Sequence, residues 1–217
     1  MAVKRTRGQR AGITRQSILE AGLDLADREG LAALSMRQLG AELGVEAMTL
    51  YHYIPSKSVL LDGIVEYVIS EAVPPLSADT AWQEKLRGYA NSLASVMAAH
   101  PNVVPLVMLQ PAVTTRNMET MEAMLQSLCS AGFELQQAVD VIYTLTGFVL
   151  GHVAVQSGMR GVRSHGRSGE GRTRDIDQER YPLLSWADKV SAKDTRFEFA
   201  LNALITGFEA ARSVPEA

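Results

Sequence analysis

The chain has 217 residues, of which 47% are hydrophobic and 21% are charged, and its formal net charge is −3. This composition supplies enough apolar surface for a sizeable core and excludes a disordered chain. Its single cysteine, Cys129, excludes an intramolecular disulfide framework, and no apolar segment typical of a secretion signal follows the basic N-terminus. We therefore expect a folded cytoplasmic protein.

Positive charge is concentrated at the N-terminus. The first fifteen residues carry a charge of +5 and the remainder carries −8, because the whole chain carries −3. The basic residues are Lys4, Arg5, Arg7, Arg10 and Arg15. Residues 1–13 contain too little apolar surface to fold alone and are predicted to form a flexible arm that is attracted to polyanions. Taken by itself, such an arm is better explained as a solvated tail.

Two amphipathic helices are predicted after the arm. In the first, apolar residues recur at spacings of three and four, with Thr14 as the N-cap and Gly30 as the C-terminal stop. The second begins at Ser35 with the motif Ser-Met-Arg-Gln, which predicts a reciprocal capping box between Ser35 and Gln38. It ends near Leu43.

A glycine turn and a third, short helix follow. Gly44 suits a tight connection because it adopts positive φ without a Cβ clash. Val45, Leu50 and Ile54 supply the apolar side of the next helix, and Pro55 ends it. Two helices joined by a glycine turn and braced by another form a helix-turn-helix.

The exposed face of the third helix is predicted to enter a major groove, which is wide enough to admit one helix. Its hydroxyls and imidazole can bind phosphates or base edges, its apolar residues can contact thymine methyls, and two flanking cations can hold the DNA backbone. The predicted DNA-binding residues are Arg37, Ala47, Met48, Thr49, Tyr51, His52, Tyr53 and Lys57. Packing against the fourth helix is the alternative for Tyr51 and Tyr53, and a solvated face is the alternative for either cation.

The rest of the chain is predicted to be helical as well. Periodic apolar residues indicate helices or helical pieces at 56–72, 82–99, 102–110, 117–130, 134–158 and 195–212. No strand pattern is present, so the predicted fold class is all-α. The uncharged run 141–159 is interrupted by polar residues and glycines, which favours a buried helix over a membrane span.

Three local patterns suggest further roles. Gly147 and Gly151 lie four apart on one helical face and predict a close helix–helix seam. The methionines of helix 117–130 fit either ordinary core or an adaptable pocket. The segment 157–180 is rich in glycine and arginine in its first part and predicts a mobile loop. That loop is either a polyanion contact or an insertion tolerated at the surface, and we favour the insertion.

The segment "LGVEAMTLYHYIPSKSVLLD" combines a Leu-Gly-Val turn, a Thr-Leu-Tyr triplet and a lysine followed by Leu-Leu. With these motifs at their expected spacings, residues 13–68 closely resemble the DNA-binding domain of the tetracycline-repressor (TetR) family of bacterial transcription regulators. The resemblance implies DNA contacts at all of the predicted residues except His52. It also implies an N-terminal three-helix domain at 14–56 and a connecting helix at 57–73.

The C-terminal segments "TAWQEKLRGYANSL" and "LQSLCSAGFELQQAVDVIYTLTGFVLGHV" resemble the tetracycline repressor's own type of C-terminal domain. The resemblance implies an effector-binding and dimerisation domain at 74–217. It further implies a homodimer in which the glycine-containing helix and the last helix of each subunit form a four-helix bundle. The predicted interface residues are Gly147, Gly151, Leu201, Ile205 and Phe208.

The effector site departs from the family pattern. The family's magnesium-binding histidine aligns near Val107 and its metal-linked glutamate near Val155, and hard cations need oxygen ligands or water. We therefore predict no metal and no cofactor, and an effector other than tetracycline. The predicted pocket suits a hydrophobic small molecule, with a tyrosine as its main hydrogen-bonding group, or is simply filled by its side chains. It comprises Val73, Tyr89, Leu93, Val107, Met124 and Val155.

Together these patterns predict a ligand-responsive repressor that binds a palindromic DNA operator as a homodimer and is released when a hydrophobic molecule binds. An enzyme is disfavoured, because the sequence shows no nucleophile–base grouping, phosphate loop or metal-ligand cluster. A dimeric protein-interaction module that keeps the fold without specific DNA binding is the alternative. For both functions we predict no association with a membrane.

Overall fold

The computed structural model describes residues 13–72, 80–109, 115–164, 177–190 and 195–212, without the side chains of 115–116, 159–164 and 187–190. All regular structure in these ranges is helical, which confirms the all-α prediction. The helices are α1 Arg15–Glu29, α2 Met36–Glu42, α3 Ala47–Tyr51, α4 Lys57–Glu71, α5 Trp82–Ala99, α6 Val104–Leu109, α7 Thr115–Ser130, α8 Leu135–Ser164, α9 Pro182–Val190 and α10 Arg196–Arg212.

The chain forms two compact units. Unit 1 comprises Met1–Glu71 and Asn102–Thr114, and unit 2 comprises Ala72–Pro101 and Thr115–Ala217. Unit 1 therefore contains the helix-turn-helix, α4 and also α6, although α6 lies between α5 and α7 in the sequence.

Helix α1 has the ends that its sequence predicts. The Thr14 hydroxyl accepts a hydrogen bond from the Ser17 amide at 3.1 Å, and the Ser17 hydroxyl accepts one from the Thr14 amide at 2.9 Å. This reciprocal pair satisfies two amide donors that the first turn would otherwise leave free. At the other end Gly30 takes φ 84°, a left-handed value that favours glycine.

Helix α2 shows only half of its predicted capping box. The Ser35 hydroxyl accepts from the Gln38 amide at 3.2 Å, but the Gln38 side chain does not reach back. Its Nε2 instead donates to the Glu29 carboxylate at 2.6 Å, a short charge-assisted hydrogen bond that turns the side chain toward α1. Beside it, Arg28 forms an ion pair with Glu42 at 3.0 Å. The last turn of α1 is thereby joined to α2.

The turn between α2 and α3 depends on two glycines. Gly44 takes φ 68°, as the sequence predicts. Gly40, inside α2, accepts a 2.8 Å hydrogen bond from the Val45 amide, and a Cβ at Gly40 would lie only 2.8 Å from the Val45 carbonyl oxygen. Backbone therefore approaches backbone at this point, and α3 starts three residues after Gly44.

Helix α4 packs against α1 in unit 1, and α6 packs against α4. At Gly63 of α4 a Cβ would lie 2.7 Å from a Leu19 methyl, so the two helices come very close there. The segment before α6 is fixed by two buried residues, Val103 and Val104. It is also fixed by Asn102, whose side-chain amide donates to the main-chain carbonyl oxygens of two α1 residues.

In unit 2, α8 packs against α5, α7 and α10. The Trp82 and Phe133 rings meet edge to face with centroids 5.1 Å apart. Arg212 at the end of α10 donates to the Ala131 carbonyl oxygen at 2.9 Å, which caps the turn after α7. The part of α8 from Leu135 to Gly158 is long and apolar enough to cross a membrane, but its inner residues are buried in this core.

Two differences from the sequence prediction lie between α8 and α10. The loop predicted at 157–180 starts later, because α8 continues to Ser164, where arginines favour a helix and the glycines cost only about 1 kcal/mol each. Helix α9 was not predicted; it starts with Pro182 at the first helical position, where proline's fixed φ fits. Residues 165–176, like residues 1–12 of the predicted arm, lie outside the described ranges.

Candidate DNA-binding face and effector-binding domain

Helix α3 has one buried side chain, two that are half-buried and two that are exposed. Leu50 is completely buried, whereas Met48 is 68% exposed, Tyr51 42% and Tyr53 45%. Both tyrosine side chains thus keep more than two-fifths of their surface exposed within unit 1, which leaves part of each ring available for a contact outside the chain. The exposed side chains offer hydroxyl donors and acceptors together with apolar surface.

The other predicted DNA-binding residues surround this face in the sequence. His52 is exposed just after α3, and Ala47 and Thr49 are half-buried within it. Arg37 is exposed in the first turn of α2, and Lys57 is exposed as the first residue of α4. Helix α3 itself has no lysine or arginine. Positive charge near this face is therefore carried by the helices on either side of α3.

Three of the predicted pocket residues lie in the core of unit 2. Tyr89, Leu93 and Met124 are buried, and the Tyr89 hydroxyl lies 3.1 Å from the Thr146 hydroxyl. Burial raises the pKa of Tyr89, and the hydrogen bond with Thr146 lowers it by less. Tyr89 is thus a neutral hydroxyl at physiological pH, already paired inside the unit.

Of the other three, the two that the structure describes do not belong to that core. Val107 lies on α6 in unit 1 and is half-buried, and Val155 on α8 is 59% exposed. Val73 lies outside the described residues. A pocket formed by all six residues therefore remains a prediction. Among the described residues, no group of histidine, cysteine, aspartate and glutamate could hold a metal ion.

Unit 2 also contains an open cavity that the sequence did not predict. It has a volume of about 350 Å³ and lies between α5, α8 and α10. On α5 the cavity is lined by the small side chains of Ala94 and Ala98. The imidazole of His152, the amide of Gln156 and the ring of Phe197 line its other sides. The His152 and Gln156 Nε2 atoms are 3.0 Å apart, and the imidazole lies 5.1 Å from the Phe197 ring. The sequence signal for this cavity is the pair of small residues, Ala94 and Ala98, four apart on α5.

The predicted interface residues divide into two groups. Gly147 is exposed and Gly151 half-buried, and a Cβ at either would meet nothing within 4 Å in the described chain. By contrast, Leu201 and Ile205 are buried in unit 2 and offer little surface to a partner, because α10 packs on α5 and α8 through them. Phe208 is half-buried.

Large apolar side chains remain uncovered on the same two helices. Tyr143 on α8 is 78% exposed and Phe199 on α10 is 76% exposed. Tyr143 and Val155 lie four residues before Gly147 and four after Gly151, so an apolar and small-residue stripe runs along α8. These residues, which periodicity alone did not single out, extend the candidate interface.

Two family models match this chain. Residues 18–64 match the model described as bacterial regulatory proteins, tetR family. Residues 74–212 match the tetracyclin repressor-like, C-terminal domain. The first match contains α2, α3 and their glycine turn, and the second spans all of the helices described in unit 2.

The chain is similar in sequence to several transcriptional repressors. The chain is 31% identical to the HTH-type transcriptional repressor DrrR1 of Streptomyces coeruleorubidus over 147 residues, which are 67% of this chain and 54% of that protein. It is 30% identical to an HTH-type transcriptional repressor of Mycobacterium tuberculosis over 217 residues, with 93% and 82% covered. It is 27% identical to the class E tetracycline repressor protein of Escherichia coli over 206 residues, with 92% of each covered.

Solved structures agree with the sequence matches. The chain superposes on ActR of Streptomyces coelicolor in complex with actinorhodin with a TM-score of 0.76 at 26% identity, covering 94% of this chain and 100% of that one. A possible TetR family transcriptional regulator from the same organism gives a TM-score of 0.77 at 25% identity, with 91% and 99% covered. These relatives are transcriptional regulators and not enzymes. Because the C-terminal match alone extends over more than half of the chain, the protein belongs to the TetR family of bacterial transcriptional regulators.

Proposed function

We propose that this protein is a cytoplasmic, ligand-responsive repressor that binds a palindromic DNA operator as a homodimer and leaves it when a hydrophobic small molecule binds the C-terminal domain. The observation that carries the proposal is α3, a short helix anchored by buried Leu50 with its aromatic and apolar side chains exposed. Repressors among the relatives support the direction of regulation.

DNA binding by such a dimer has a defined geometry. Two copies of α3 would lie in successive major grooves about 34 to 36 Å apart, the spacing of one helical turn. Tyr51 and Met48 would contact base edges, while Arg37 and Lys57 would hold phosphates and set the register without reading sequence. The basic residues before α1 would add phosphate contacts.

The effector is proposed to be largely apolar. Tyr89, Leu93 and Met124 are buried in unit 2 and offer little beyond apolar surface, because the tyrosine hydroxyl is already paired. The structure of ActR with actinorhodin shows that a related protein of this fold binds an organic small molecule. Helix α4 would transmit the response, with a coupling free energy of about 1 to 3 kcal/mol, which weakens DNA binding roughly 5- to 150-fold.

Selection from a randomised pool of double-stranded DNA tests the function directly. We expect the purified protein, at near-physiological salt, to enrich one palindromic site, because two identical α3 helices read two identical half-sites. Sequencing of the bound fragments gives the site. Enrichment of nothing above background would contradict the repressor and favour the protein-interaction module.

The same site measures the contribution of Tyr51. We expect Tyr51→Ala to weaken binding to the selected site by about 1 to 3 kcal/mol and to weaken binding to random DNA much less, since base contacts carry the specificity. Fluorescence anisotropy with both duplexes gives the two affinities. An equal loss on both duplexes would assign Tyr51 to the backbone instead.

A substitution at the exposed α8 glycine tests the dimer. We expect Gly147→Leu to convert the dimer to monomer while unit 2 stays folded, because Gly147 is exposed and a Cβ there meets nothing within 4 Å in the described chain, whereas a leucine would separate two α8 helices in close contact. Light scattering after size-exclusion chromatography gives the mass, and circular dichroism gives the helix content. Ala123→Leu, at an exposed position of α7, is the matched control. A Gly147→Leu protein that remains dimeric would place the interface elsewhere.

A further inference from the structure

The connection between α5 and α6 is hydrogen-bonded to the end of α1. The side-chain Nδ2 of Asn102 donates to the Ala26 carbonyl oxygen at 3.0 Å and to the Asp27 carbonyl oxygen at 3.1 Å. Ala26 and Asp27 lie in the last turn of α1, where carbonyl groups have no partner within the helix and need one from elsewhere. The Gly30 amide supplies another donor to the Ala26 oxygen at 2.8 Å. One asparagine side chain thus caps two helix-terminal carbonyls.

The same turn of α1 is joined to the reading helices. Arg28 pairs with Glu42 of α2 at 3.0 Å, and Glu29 accepts from Gln38 of α2 at 2.6 Å. Helix α2 in turn fixes α3 through the backbone contact at Gly40. A continuous set of polar and backbone contacts, all within unit 1, therefore leads from Asn102 to the DNA-reading helix.

Asn102 lies at the point where the chain passes from unit 2 to unit 1. Residues 102–114 belong to unit 1, but the residues immediately before and after them, Pro101 and Thr115, belong to unit 2. The described part of this segment, residues 102–109, is therefore covalently continuous with unit 2 and anchored in unit 1. Val103 is fully buried and Val104 nearly so, which fixes the backbone next to Asn102, while the Asn102 side chain is exposed and held by its two hydrogen bonds.

We propose that Asn102 is a positioning residue that transmits displacement of the α5–α6 connection to the last turn of α1, and through Arg28 and Glu29 to α2 and α3. This link passes through α1 and α2, and it adds a second route to the one proposed through α4 by which the effector unit regulates DNA binding. The inference rests on the proposed function for its effect on DNA. The contact itself can be tested without DNA.

Amide hydrogen exchange of the full chain tests the anchor. Asn102→Ala removes both donors, so we expect the amides from Arg28 to Leu34 to exchange roughly 5- to 30-fold faster, the effect of losing one or two hydrogen bonds. The amides of α4 should change much less. Asn102→Gln keeps the amide group and should restore part of the protection, and Asn91→Ala, on the exposed side of α5, is the matched control. Unchanged exchange, or an equal increase throughout unit 1, would overturn the inference.

Operator spacing tests the positioning role. With the selected half-sites fixed and the spacer varied one base pair at a time, we expect the wild-type protein to prefer one length and Asn102→Ala to lose several-fold of that preference. A variant that merely unfolds more easily would bind all spacings more weakly and keep the preference, which would overturn the inference. Failure to recover any operator would contradict the proposed function, while the exchange experiment would still decide whether Asn102 holds α1.

Discussion

Gly40→Ala is expected to abolish specific DNA binding and to destabilise unit 1. The added Cβ would lie 2.8 Å from the Val45 carbonyl oxygen and 3.2 Å from the Ala47 amide nitrogen. Both atoms belong to the backbone, so no side-chain rotation relieves the overlap, and the turn that carries α3 must shift. Overpacking of this kind costs about 1 to 3 kcal/mol, and we expect a value near the upper end.

Two measurements check this result. Urea unfolding followed by circular dichroism gives the change in the free energy of unfolding, and anisotropy with the selected duplex gives DNA affinity. The matched control is Gly158→Ala in α8, where a Cβ meets nothing within 4 Å and alanine favours the helix. DNA binding by Gly40→Ala at wild-type affinity would show that the α2–α3 turn tolerates a side chain and that Gly40 does not set the position of α3.

Leu50→Ala should have an effect of similar size through a different mechanism. Leu50 is the buried residue of α3, and truncating a fully buried leucine costs about 2 to 5 kcal/mol, from lost transfer free energy and the remaining cavity. A five-residue helix has little stability of its own, so we expect α3 to detach locally before unit 1 unfolds as a whole. Specific DNA binding should be lost with it.

Met48→Ala is the matched control on the same helix. Its side chain is 68% exposed, so the free energy of unfolding should change by less than about 0.5 kcal/mol. If Met48 contacts a thymine methyl, the affinity of the Met48→Ala protein for the selected site should still fall. Hydrogen exchange of the α3 amides separates the two variants. Wild-type protection of those amides in Leu50→Ala would contradict the anchoring role of Leu50.

The helix-turn-helix could be predicted from sequence because its signals are local. Thr14, Gly30 and Gly44 act through their own backbone and nearest neighbours, and each lies where the sequence predicts. Gln38 was predicted less well, because its choice between Ser35 and Glu29 depends on how α1 and α2 approach each other. Sequence spacing carries no information about that approach.

In the C-terminal domain, neither the apolar periodicity nor the family resemblance determines which surface covers a given side chain. An apolar stripe shows that a helix face is covered, but not whether its own unit or a partner covers it. Leu201 and Ile205 were assigned to the dimer interface, yet both are buried within unit 2. Val155 was assigned to the pocket and is exposed. Helix α9 follows soon after a segment rich in glycine and arginine. Its amphipathic pattern is short, and it was therefore included with the residues after the predicted loop.

The single anchor of α3 has a consequence for how new regulators of this kind can arise. Leu50 is the buried residue of the helix, whereas the side chains of Met48, Tyr51 and Tyr53 are at least two-fifths exposed in the described chain. Mutations at Met48, Tyr51 or Tyr53 can therefore accumulate after gene duplication without the loss of stability that usually limits divergence. A library randomised at these positions should consist mostly of folded proteins, so operator preference can be re-engineered while the scaffold stays constant.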